Sequence, residues 1–167
     1  VARVRACSIR KGTSVDTPSF IAEESPTYTA QGIYDEWIAF MREHPEMHGK
    51  RRMRVTANGR EKVCALGALG VIATKHGLGG WHMNHGGTEE ESYTEWVWHA
   101  KYGREDSIEG LFDLCSRVSG MSLEQTHNMV AVNDRFDSTF PDVISYVERT
   151  VEYNTAVLER YDRVFST

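Results

Sequence analysis

Lys62-Val63-Cys64-Ala65-Leu66-Gly67-Ala68-Leu69-Gly70 decides how the rest of the chain is read. It is an apolar helix that opens on a cysteine. Ala65, Gly67, Ala68, Gly70 and Ala73 carry so little side chain that neighbouring elements can approach its backbone closely, which suits the central helix of a bundle. Cys64 at its first turn admits two readings. The positive end of a helix dipole can lower a thiol pKa and make a nucleophile, or the cysteine can serve as a small hydrophobe in the packing. The packing reading is favoured, because a nucleophile also needs a base and a group orienting that base.

Upstream, Arg51-Arg52-Met53-Arg54-Val55-Thr56 and Arg60-Glu61-Lys62-Val63 flank Asn58-Gly59, the strongest short signal for a two-residue hairpin. This hairpin is expected to be the only sheet. Before it, Ile33, Tyr34, Trp37, Ile38 and Met41 form one face of a helix that starts near Thr29 and is stopped by Pro45. Residues 1–26 lack helical period and contain Pro18 and Pro26. They read as an extended arm, lying on the body through Val4, Ile9, Val15, Phe20 and Ile21 as the favoured case, with reaching a partner as the alternative.

Downstream, Gly77-Leu78-Gly79-Gly80-Trp81-His82-Met83-Asn84-His85-Gly86-Gly87 reads as a flexible surface loop. Four helix starts follow, each with a capping residue and an acidic or amide side chain three positions on: Thr88 with Glu91, Asp106 with Glu109, Ser122 with Gln125, Thr139 with Asp142. Tyr93, Trp96, Val97 and Ala100 fit the face of the first. On a helix Trp96 and Trp98 point apart, so one of them, assigned as Trp98, is expected outside as a contact residue. Gly77, Gly103 and Gly120 fit helix C-termini. The last helix, 140–165, carries Ile144, Val147, Val151, Asn154, Leu158, Tyr161 and Phe165 in heptad spacing. Packing inside the monomer is favoured for it, with a homo-oligomer through this helix as the alternative and Asn154 as the residue that would fix register. The expected fold is mainly α: a single-domain helical bundle of about six helices over 27–167, with one small β-hairpin and the N-terminal arm.

The formal net charge of -5 is spread among interspersed Lys, Arg, Asp and Glu, which disfavours nucleic acid as a partner. Cys7, Cys64 and Cys115 are far apart without a Cys-x-x-Cys pair, against both a disulfide framework and a cysteine zinc site. No run is long and apolar enough to span a bilayer, and Val1 to Arg10 has no signal-like apolar core. A soluble protein of a bacterial cytoplasm is expected, with a virion as the alternative location.

A thiol hydrolase would use Cys64, with His82 as base and Asp134 as orienter. His76, His85, His99 and His127 compete for the first role and Asn133 for the second. The run Cys64 to Leu69 resembles the start of the NlpC-type thiol peptidase helix, although Val63 stands where those enzymes carry an acidic residue. His76, His82 and His85 could bind a metal only if their five-glycine loop were rigid, so neither metal nor cofactor is assigned. The candidate binding residues are Trp81, His82, His85 and Trp98. Asn133-Asp134 reads as a structural turn that ties the last helix to the Cys64 helix.

Taken together, Cys64-Ala65-Leu66-Gly67-Ala68-Leu69, Asn133-Asp134, and Thr139-Phe140 with Val143 resemble a family of small uncharacterised proteins of actinobacteria and their bacteriophages. Members pair a Cys-x-x-Gly-Ala-Leu helix with an Asn-Asp turn, and tend to have Trp where this chain has Val132. The resemblance implies a helical fold and a phage setting, and brings no activity with it. The expectation is a non-enzymatic, phage-encoded accessory protein that binds a host or phage macromolecule, a protein above all. A thiol hydrolase and a virion assembly component are the alternatives.

Overall fold

The computed structural model describes residues 28–87, 92–100 and 107–165. The N-terminal arm, Cys7, Gly103 and the caps expected at Thr88 and Asp106 lie outside them. The described helices are α1 (Ala30–Glu43), α2 (Ala65–Lys75), α3 (Ser107–Ser119), α4 (Leu123–Asn133) and α5 (Phe140–Phe165). The strands are β1 (Arg54–Ala57), β2 (Arg60–Val63), β3 (Gly79–Gly87) and β4 (Ser92–Ala100), joined in one antiparallel sheet of order β2-β1-β4-β3.

Two expectations are corrected here. The described chain has five helices where about six were expected, and its sheet has four strands where a lone hairpin was expected. The glycine stretch is β3, and the segment read as an amphipathic helix is β4, paired from Gly79 with Ala100 to Gly87 with Ser92. Tyr93, Trp96, Val97 and Ala100 do fall at helical spacing. The same segment also alternates, and its Tyr, Thr, Trp and Val favour a pleated strand that can pack against its neighbours. On a strand, residues two apart share a face. Trp96 and Trp98 therefore need not oppose each other, and the reason for placing Trp98 outside disappears.

The α2 helix is the centre, as its composition implied. Ala65, Leu66, Ala68, Leu69, Ile72 and Ala73 are all buried. A Cβ on Gly67 would lie 1.7 Å from the Met53 carbonyl oxygen, and one on Gly70 would lie 2.7 Å from the Trp81 ring. Close approach of backbone and rings explains why glycine occupies both positions. The Trp98 side chain is 1% exposed and its Nε1 donates to Thr74 Oγ1 at 3.1 Å. On the opposite side, α1 buries Ile33, Trp37, Ile38 and Met41, and Trp37 Nε1 donates to the Ala65 carbonyl at 2.9 Å.

The ends of the elements follow local chemistry. Thr29 caps α1 by accepting from Gly32 N at 3.0 Å, and Pro45 opens a 3-10 turn directly after it. Ser122 and Gln125 form a reciprocal capping box at α4. At α5 the Asp142 carboxylate reaches back to the Thr139 N–H at 2.8 Å. Asn58 and Gly59 both have positive φ, the geometry that a two-residue hairpin turn demands.

The first half of α5 is core, with Phe140, Val143, Ile144 and Val147 buried. Its second half leaves Tyr153, Leu158, Tyr161 and Val164 exposed. Asn154 is engaged within the chain: it exchanges two amide hydrogen bonds with Gln125 and donates to the Gly120 carbonyl at 3.0 Å. No described helix is long and apolar enough to cross a membrane.

Candidate functional site

The turn after α4 holds the start of α2. Asn133 is 1% exposed, and its Oδ1 accepts from Ala65 N at 3.0 Å while its Nδ2 donates to the Gly49 carbonyl at 3.0 Å. Thus one amide satisfies a first-turn N–H of α2 and fixes the loop before β1. His48 Nε2 is 3.1 Å from the same Oδ1. Because that oxygen can only accept, Nε2 carries the proton. Burial pushes His48 below the ordinary imidazole range, with its bond to Asn133 opposing the shift.

Asp134 and its neighbours pin the same loop. Asp134 Oδ1 accepts from Arg51 N at 2.8 Å, and Lys50 Nζ reaches the carbonyls of Arg135 and Phe136. Arg51 is held at φ 63°, a left-handed conformation that a branched or long side chain adopts only when its surroundings enforce it. The 49–52 loop is therefore rigid where it meets α4.

Cys64 sits under this lock. It is the N-cap residue of α2, and its Sγ accepts from Gly67 N at 3.4 Å. The residue is 7% exposed, and burial pushes the thiol up to about 11, against the pull of nearby N–H groups. Desolvation outweighs the helix dipole, so the thiol is neutral near pH 7. Among the described residues no histidine is hydrogen-bonded to it. His48, through Asn133, is the imidazole tied to this corner, and its ring packs edge-on against Phe140 at 4.7 Å.

The other histidines are engaged elsewhere. His76 ends α2 and bonds Glu36 at 2.9 Å, His127 stacks on Phe112 at 4.6 Å, and His82 meets His99 edge-to-face at 4.4 Å. Of the residues assigned to a thiol hydrolase, Asp134 shares a cleft with Cys64 and His82 does not line it. His76 and His82, read together as possible metal ligands, belong to α2 and β3 and keep separate partners. No described group of three or more His, Cys, Asp and Glu could hold a metal ion.

Sheet geometry also separates the binding candidates. Trp81 and His82 are neighbours on β3 and so point to opposite faces. Trp81 packs against α2 and under the Arg54 guanidinium at 5.2 Å, whereas His82 is exposed. Trp98 is core and is corrected from contact residue to packing residue. The backbone of His85 pairs with Thr94, and its side chain lies outside what is described. Trp96 is the half-buried member of the tryptophan pair. Arg54 lies 4.8 Å over its ring and is held in place by a bidentate pair with Glu61.

The cleft at Cys64 has a volume of about 330 Å³. Met53, Leu66, Trp96, Val97, Phe112 and Val130 give it apolar walls, and Arg51, Arg52 and Asp134 supply charge. Arg51, Arg52 and His48 are the residues that sequence reading missed. The adjacent arginines before the hairpin were visible, but only the turn at Asn133 brings them to the mouth of a cleft. Comparison of the chain with protein families, with curated proteins and with solved structures finds no match.

Proposed function

We propose that this protein is a non-enzymatic accessory protein that binds a protein partner through the free edge of β3. The observation that carries the reading is the sheet order, in which β3 pairs with β4 on one side and no described strand lies on the other. β3 is nine residues long and contains no Lys, Asp, Glu or Pro, the usual means of blunting an edge. The opposite edge, β2, is four residues long and carries Arg60, Glu61 and Lys62. An extended segment of a partner can add to β3 by main-chain hydrogen bonds, with exposed His82 and Met83 beside it. The neutral, buried thiol of Cys64 supports binding over hydrolysis. The phage setting and the host cytoplasm rest on the resemblance of the Cys64 helix and the Asn133-Asp134 turn alone.

Proline tests the edge. Adjacent N–H groups on a strand point to opposite sides, so one of Met83→Pro and Asn84→Pro removes an outward N–H and the other breaks pairing with β4. Crosslinking of the chain to proteins of an actinobacterial host should be lost in the outward variant, with its helical circular dichroism unchanged. Crosslinking that survives both substitutions contradicts the reading.

Assembly through α5 is the second reading, favoured by the exposure of Leu158 (66%) and Tyr153 (66%). It predicts a defined oligomer by light scattering that Leu158→Glu dissociates. A monomer at high concentration removes it.

A further inference from the structure

We infer that His82 and His99 form a two-histidine site for a divalent transition metal, copper(II) above all, on the face of the sheet turned away from α2. Strand geometry puts them there. Trp81 and Trp98 pair across β3 and β4 and pack toward α2, where Trp98 bonds Thr74 and Trp81 crowds Gly70. The next residue on each strand, His82 and His99, therefore points the opposite way. The ladder fixes both backbones, with His82 opposite Val97 and His99 opposite Gly80. The two imidazoles are thus diagonal neighbours on one face, a separation that ring side chains span.

Their spacing suits chelation. The ring centroids are 4.4 Å apart, with the planes at 88°. A metal about 2.0 Å from a nitrogen of each ring lies ~3.2 Å from each centroid, so bonds at a right angle need centroids ~4.5 Å apart and tetrahedral bonds ~5.2 Å. The observed separation matches the right angle, the geometry of a tetragonal copper(II) or nickel(II) site. His82 is exposed, and histidine χ2 turns over a broad range, so a nitrogen of each ring can face one point. There is also room beside them. Gly80 lies opposite His99 on the same face, and among the described residues nothing comes within 4 Å of a Cβ built there. Two protein ligands leave the rest of the coordination sphere open to water or to a partner's side chain.

The site needs no partner on the β3 edge and no reactivity at Cys64. Isothermal titration of the full chain with copper(II) chloride tests it, with nickel(II) and zinc(II) chloride for comparison. Copper should bind one-to-one and more tightly than nickel or zinc, the order that imidazole ligands give. His82→Ala and His99→Ala should each weaken copper binding by about 100-fold, the low end of what a tethered second ligand adds. The two substitutions together should cost little more than either alone, because one imidazole without the other no longer chelates. His76→Ala and His127→Ala should leave binding unchanged. Electron paramagnetic resonance of the copper-loaded chain should show splitting from two nitrogens. Because His82 is exposed, its loss is separable from unfolding, which unchanged circular dichroism of His82→Ala checks. The inference is overturned if copper gives no saturable one-to-one heat, if His82→Ala folds and binds as the parent does, or if the losses in the two strand variants add. It is equally overturned if His76→Ala or His127→Ala abolishes binding, which would place the metal elsewhere.

Discussion

Asn133 Oδ1 accepts the Ala65 N–H across 68 residues of sequence, at 3.0 Å in the core of the molecule. This bond makes α4 the support on which α2 begins. Because Asn133 Nδ2 also donates to Gly49, the same side chain sets the loop that leads into the sheet. The corner that contains Cys64 is thus built by side-chain amide chemistry, with the thiol filling space beside it.

Asn133→Ala should be among the most destabilising single changes in the chain. It strands the Ala65 N–H and the Gly49 carbonyl in the core, at a cost of about 3–5 kcal/mol when each unsatisfied group is charged its desolvation. Chemical denaturation should show a large fall in midpoint. Asn133→Asp should recover little, because the carboxylate keeps the acceptor for Ala65 but loses the donor to Gly49 and sits beside Asp134.

Gly67→Ala should cost about 3 kcal/mol or more, far beyond the usual effect of a glycine-to-alanine change within a helix. The added Cβ would meet the Met53 carbonyl oxygen at 1.7 Å, and that carbonyl also accepts from Cys64 N at 3.0 Å. Neither backbone can move without unseating the start of α2. Thermal melting of the variant checks this, and a midpoint within a degree or two of the parent would refute the packing described.

Stability should fall as pH drops from about 7.5 to 5, with His48 as one cause. Its folded pKa lies below the ordinary value of 6.5, so the unfolded chain takes up the proton first as pH falls. The contribution is complete above the unfolded pKa and declines as pH descends from there toward the folded value. Urea midpoints at the two pH values should differ, and His48→Gln, which retains a donor for Asn133, should shrink the difference.

Asp142 acts in the same direction at lower pH. Hydrogen bonds from the Thr139 hydroxyl and N–H hold its carboxylate below the usual range. The stabilisation is present above the unfolded value of 3.8 and is lost as pH falls through the folded pKa. Asp142→Asn should flatten the acid limb of a stability curve measured below about pH 4.5.

The parts of the fold legible in sequence are those with local physical signatures. Thr29 and Ser122 announced their helices through side chains that accept backbone N–H groups within one turn, and Thr139 through the Asp142 carboxylate that reaches back to its N–H. Asn58-Gly59 announced its hairpin through positive φ. The small residues after Cys64 announced close packing, and Asn133 announced a structural tie because its side chain bonds backbone readily, although the helix it ties to α2 is α4 and not the last one. What was not legible depended on pairing across distance. Gly79, Gly80, Gly86 and Gly87 hid β3, since a strand held by its neighbour needs little propensity of its own. β4 was masked by a coincidence of spacing, although its tryptophans and threonine favoured a strand. The cleft was invisible because Arg51 and Phe112 come to line one space only once β1 and α3 are both in place.

The rate of iodoacetamide alkylation at Cys64 in the folded protein, followed by mass spectrometry from pH 6 to 10.5, tests the central claim most directly. A buried thiol with a pKa near 11 should react slowly at neutral pH, with a rate still climbing at the top of that range. A fast reaction that levels off near pH 7 would show a thiolate poised at the start of α2, and would contradict the account of Cys64 as a packing residue beneath the Asn133 lock.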